Sequence, residues 1–111
     1  MEHKVSSQLL KGFLQGILLI LLAEEANYGY GISQRLVEVG LESVPKGTIY
    51  PLLTSMEKRG LVKSESRPST DGPSRKYYET TDEGLLAKQE FLDQWGYLVA
   101  AMGNLTKEEQ A

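Results

Sequence analysis

Apolar residues recur at three- and four-residue spacing in four stretches of the chain, and one hairpin pattern separates the third stretch from the fourth. In residues 9–22, Leu10, Phe13, Ile17, Leu18, Leu21 and Leu22 predict a helix with a wide buried face, nearly apolar all round toward its end. Gly12 and Gly16 stand four apart within it, a spacing that permits close approach of another helix. Asn27-Tyr28-Gly29-Tyr30-Gly31 then reads as a turn. A short helix over 31–39 follows, with Ile32, Leu36 and Val39 on one face and Gly40 as its stop. The glycines do not make a dinucleotide loop: no strand precedes them and the spacing does not complete G-x-G-x-x-G.

The third pattern, within 44–62, sets Ile49, Leu52, Leu53 and Met56 inward and ends at Gly60. Pro51 belongs in or near the first turn of this helix, where its missing N–H does least harm. The outward face carries Thr48, Tyr50, Thr54, Ser55 and Lys58, with Lys46 just before it. Hydrogen-bonding side chains of moderate length on one exposed helix face suit the DNA major groove. The plainer account is an amphipathic helix with a polar exterior, and the exposed Tyr beside Thr, Ser and Lys weighs against it.

Residues 62–67 and 75–80 read as two strands joined by a seven-residue loop, 68–74, rich in Pro, Gly, Ser and Asp. Thr80-Thr81-Asp82-Glu83 has the T-x-x-E spacing of a capping box and predicts the start of the last helix. Leu85, Leu92, Trp95, Val99 and Met102 form one seam of that helix, and Leu86, Phe91 and Leu98 form a second. A small domain cannot bury both, so one seam is expected on the first helix and the other on a second copy of the chain. The organisation expected is a DNA-binding region over 1–80, a dimerisation helix over 81–105 in the same domain, and a polar tail over 106–111.

Composition narrows the chemistry. With 111 residues and no Cys, the chain is one domain without disulfides, Cys-ligated zinc or a thiol nucleophile. The one His, His3, sits at the terminus, so no catalytic constellation or metal site is expected, and no cofactor. The longest apolar run, 17–23, is about a third of a membrane span, and no secretion signal is visible, so the expected compartment is the cytoplasm. Net charge is −3, yet residues 44–78 hold seven cations against three carboxylates. One compact basic stretch presents a local positive face to phosphate even on an acidic protein.

The order helix, short helix, turn, polar-faced helix, basic hairpin, long helix is that of a winged helix-turn-helix: a mostly helical fold with a small β-hairpin wing and terminal dimerisation helices. The chain resembles the PadR-type transcriptional regulators, in their short subgroup with a single C-terminal helix. The resemblance rests on Leu10-Lys11-Gly12, Tyr28-Gly29-Tyr30-Gly31-Ile32, Gly47-Thr48-Ile49-Tyr50-Pro51-Leu52-Leu53, Leu61-Val62, Arg75-Lys76-Tyr77-Tyr78 and Thr81-Asp82-Glu83-Gly84, and covers roughly residues 8 to 100.

That resemblance implies a homodimeric repressor, not an enzyme, with double-stranded DNA as its partner. Lys46, Thr48, Tyr50, Pro51, Thr54 and Ser55 would face the groove, Tyr28 and Tyr30 would lie near phosphates, and Arg75 and Lys76 would anchor the wing. The tip Asp71-Gly72-Pro73-Ser74 departs from the family's Gly-Gly-Arg or Gly-Arg-Pro, and Glu79 stands where a cation is common, which weakens the phosphate face. Some family members hold flat hydrophobic ligands between paired aromatics at the dimer centre. Trp95 matches that place, with Phe13, Ile17, Leu92 and Val99 as candidate lining, although a lone Trp on such a helix also serves as an interface anchor. The acidic remainder of the chain favours one alternative, a winged helix that docks a protein partner instead of DNA.

Overall fold

The first helix, α1 (Ser7–Glu24), starts where the Ser6 side chain accepts a hydrogen bond from the Leu9 N–H, satisfying one of the free donors of its first turn. In the computed structural model, which describes residues 5–41 and 44–107, four more elements of the expected order complete the core and a fifth extends from it. They are α2 (Gly29–Glu38), α3 (Lys46–Lys58), β1 (Val62–Ser69), β2 (Gly72–Thr80) and the long α4 (Asp82–Leu105).

Leu14, Leu18, Leu19, Leu21 and Leu22 of α1 are buried against Ile32 and Leu36 of α2, Ile49, Leu53 and Met56 of α3, and Val62 and Tyr78 of the hairpin. Burial of each such side chain stabilises the fold by about 1.5–3 kcal/mol. Phe13 and Ile17, expected on the buried face, are only half-buried: both line a groove with Phe91, Leu92 and Trp95 of α4, and Ile17 also packs against the edge of this core. Val39 is exposed instead of continuing the α2 stripe: the helix ends at Glu38, and Gly40, at φ 101°, turns the chain away.

Pro51 lies five residues beyond Lys46, in the second turn of α3 and not the first. Its ring is on the exposed face, where solvent can satisfy the carbonyl left without an i+4 partner. Both strands run further than the loop residues suggested, and the connection shrinks to Thr70 and Asp71. The antiparallel register runs from Val62↔Thr80 to Arg67↔Arg75 and shifts before Ser69↔Gly72. Pro68 sits at this irregularity, where a missing N–H interrupts no regular pairing. Asn27 adds a one-residue third strand, its N–H and carbonyl both bonded to Tyr78 at 3.0 and 2.9 Å.

The cap of α4 is Thr81, one residue later than the T-x-x-E spacing indicated. Its hydroxyl accepts from the Gly84 N–H at 3.0 Å and donates to the Gly60 carbonyl at 2.6 Å, while Thr80 donates to the Leu19 carbonyl of α1. Gly84 packs so closely on the Leu61 carbonyl that a Cβ there would overlap it. From this anchor α4 runs past the core. The radius of gyration, 15.9 Å, exceeds the roughly 13 Å of a compact chain of this length.

Candidate functional site

The exposed face of α3 is built by helical spacing: Ile49, Leu53 and Met56 lock one side into the core and leave Thr48, Tyr50, Pro51, Thr54 and Ser55 outward. Tyr50 is not free-standing. Its hydroxyl end lies over the backbone of Gly29, where a Cβ would overlap it, so the ring docks α3 on the N-terminus of α2. Lys46 opens the helix with its ammonium 5.5 Å from the centre of the Tyr30 ring.

From Lys46 a row of rings and cations runs to the wing. The Tyr30 ring is 6.3 Å from that of Tyr28, which is 5.2 Å from that of Tyr77. The Arg75 guanidinium stands 4.7 Å over Tyr28, and that of Arg67 4.5 Å over Tyr77. Gln34 donates to the Tyr30 hydroxyl at 2.9 Å. The fold thus brings Tyr28, Tyr30, Lys46 and Arg75 together. Arg67, a cation flanking the loop of the hairpin, and Tyr77 of the Arg75-Lys76-Tyr77-Tyr78 motif belong to the same row, although neither is among the DNA-contact residues expected from the sequence. The strand period carried the signal: buried Tyr78 fixes one face of β2, so Tyr77 and Arg75 share the other, and Arg67 lies opposite Arg75.

Lys76 departs from this row. It shares the inner face of the ribbon with Tyr78, its ammonium 3.7 Å from the Glu57 carboxylate of α3 and 5.7 Å from the Tyr78 ring centre. Other cations of the basic window are also paired, Lys63 with Glu79 at 3.4 Å and Arg67 with Glu65 at 2.9 Å. Exposed pairs of this kind are worth little in stability, but they lower the local positive potential.

A second feature lies away from α3. Phe91 of α4 packs on α1 at Gly16, where a Cβ would overlap its ring, while Gly12 faces open space. Phe13 meets Phe91 and Trp95 edge-on, at 6.2 and 5.5 Å between ring centres. Beside them opens an apolar groove of about 390 Å³, lined by Phe13, Ile17, Leu92 and Trp95 together with Leu10 and Leu41 among others. Val99 lies a turn beyond and is exposed. So are Leu98, Met102 and Leu105, and Trp95 itself is 47% exposed. Among the described residues no group of His, Asp or Glu could hold a metal, and no helix is long and apolar enough to cross a membrane.

Residues 17–90 match the transcriptional regulator PadR-like family. A PadR-like transcriptional regulator from Bacillus cereus is 42% identical, with a TM-score of 0.80 over 89% of this chain and 96% of that one. A PadR-family regulator from Eggerthella lenta is 37% identical, with a TM-score of 0.79 over 88% of this chain and 85% of that one. An uncharacterized protein from Lysinibacillus sphaericus is 31% identical over 82% of this chain and 85% of its own length.

Proposed function

This chain belongs to the PadR-like family of transcriptional regulators, and from that premise we propose that it is a homodimeric, sequence-specific DNA-binding repressor. The observation that carries the reading is the outward face of α3, with its hydroxyls and Tyr edge flanked by the cations of the tyrosine row. In the proposed complex α3 lies in the major groove. Thr48, Tyr50, Thr54 and Ser55 meet base edges and thymine methyls, and Pro51 packs beside them. Lys46, Tyr28, Tyr30 and Arg75 meet phosphates and set the register, and Lys76 adds charge on the other face of the wing. Such a protein works where the chromosome is, in the cytoplasm.

The dimer reading is supported by α4. Its exposed Leu98, Val99, Met102 and Leu105 form an apolar surface that a lone chain leaves in water, and a second copy is its proposed cover. The groove at Trp95 falls within the volume range of small-molecule sites and supports a planar hydrophobic effector, with Phe13, Ile17 and Leu92 around it and Val99 outside it, a turn further along α4. Binding there would release DNA by changing the angle between the two α3 helices. An aromatic compound that binds the dimer and leaves DNA affinity unchanged would end the effector proposal.

Selection of duplexes from a random pool, followed by sedimentation of the complex, tests the main reading. It expects one enriched inverted repeat bound by two chains. The paired cations Lys63, Arg67 and Lys76 favour one second reading, a winged helix that docks a protein. A well-folded dimer that enriches no sequence would support it.

A further inference from the structure

The wing is a two-stranded ribbon, an element that is marginal by itself. Its base is fixed by buried Val62 and Tyr78 and by the Asn27 bridge. Further out it is gripped on both faces. On the inner face, Glu57 in the last turn of α3 accepts a hydrogen bond from the Ser64 hydroxyl of β1 at 2.6 Å, and its other oxygen draws Lys76 of β2. On the outer face, Tyr77 lies against Tyr28 of the α1–α2 turn, capped by Arg67. Through Tyr28 and Tyr30 this contact reaches Lys46, the first residue of α3. The two ends of α3 are therefore tied to opposite faces of the ribbon.

We infer that Glu57 and Tyr77 are positioning residues for DNA reading, which hold the wing at a fixed angle to α3. The inference rests on the DNA-binding reading above. Glu57 is a carboxylate on the helix proposed to approach phosphates, where by itself it weakens attraction. Its place under the ribbon, bonded to one strand and paired with the other, accounts for it as a clasp. Tyr77 is half-buried, and its ring is occupied by Tyr28 on one side and Arg67 on the other, so it holds the row together without needing to touch DNA. A wing fixed before binding lets α3 and Arg75 engage together, and the ordering cost of association falls accordingly.

The test uses the full chain and a labelled duplex from upstream of its own gene, titrated at several salt concentrations. Tyr77→Ala, Tyr77→Phe, Glu57→Ala and Glu57→Gln are compared for affinity, thermal midpoint and amide exchange in β1 and β2. Tyr77→Ala is expected to lose about tenfold in affinity, the scale of one aromatic pair, with the salt slope unchanged and faster exchange in the outer ribbon. Tyr77→Phe keeps the ring and should bind as wild type does. Glu57→Ala should loosen the ribbon likewise, while Glu57→Gln keeps an acceptor for Ser64 and should loosen it less.

Wild-type affinity and exchange in Tyr77→Ala and Glu57→Ala would overturn the inference. A salt slope reduced by about one in Tyr77→Ala would overturn it too, because lost phosphate contacts and not lost positioning would then explain the effect. If the wild-type chain engages no duplex, the DNA reading fails. Exchange in the ribbon, which needs no DNA, then decides whether the two clasps hold the wing at all.

Discussion

The ring of Phe91 lies directly on the backbone of α1 at Gly16, so closely that any side chain there would overlap it. Gly12, one turn earlier, meets nothing within 4 Å of where its Cβ would stand. The two glycines therefore predict opposite outcomes. Gly16→Ala should destabilise by about 1–3 kcal/mol, because α4 must move off α1. Gly12→Ala should stabilise by about 0.5–1 kcal/mol through helix propensity, because the added Cβ meets open space. Denaturant unfolding at equal protein concentration measures both.

Lys46 and Arg75 stand over tyrosine rings, and no carboxylate partner is seen for either among the described residues. Lys46→Ala and Arg75→Ala should each weaken duplex binding across all sequences and reduce the slope of log affinity against log salt by about one. Thr54→Ala should instead relax the preference at particular base pairs and leave the slope alone. Titrations against matched and mismatched duplexes separate the two patterns.

Thr81 joins three elements: it caps α4, donates to Gly60 at the end of α3, and its N–H is bonded to Leu61 before β1. Thr81→Ala should cost about 1–2 kcal/mol, from the lost cap and an unpaired hydrogen-bond group at Gly60. Thr81→Ser, which keeps the hydroxyl, should recover most of it. The thermal midpoints of both variants check this.

Trp95 packs edge-on against Phe13 and keeps half its surface open beside the apolar stretch of α4. In the proposed dimer it is an anchor, and Trp95→Ala should weaken association by about 2 kcal/mol or more. Sedimentation over a dilution series should show monomer at concentrations where the wild-type chain remains a dimer. Tyr97→Ala, at a residue 75% exposed, serves as the comparison and should shift the curve less.

The element order, the inward stripe Ile49, Leu53 and Met56, and the glycine stops at positions 40 and 60 were legible in the sequence, because period and backbone freedom are local properties. The places where the sequence misled were those that tertiary contacts decide. Seven turn-forming residues resembled a loop, yet strand pairing carried the ribbon to a two-residue tip. The T-x-x-E spacing pointed to Thr80 as the cap of α4, yet Thr81 caps it, and the Thr80 hydroxyl goes instead to the Leu19 carbonyl of α1. Arg75 and Lys76 looked like one basic pair, but strand alternation sends them to opposite faces and Glu57 takes the second. Glu57 itself gave no signal, because its partners Ser64 and Lys76 lie 7 and 19 positions away.

The most direct test of the account is titration of the purified chain into labelled duplex from upstream of its own gene, with excess unrelated duplex and at two salt concentrations. Binding by a dimer that survives the competitor and weakens as salt rises is the expected result. Binding that disappears when unrelated duplex is added, or that is indifferent to salt, would contradict it.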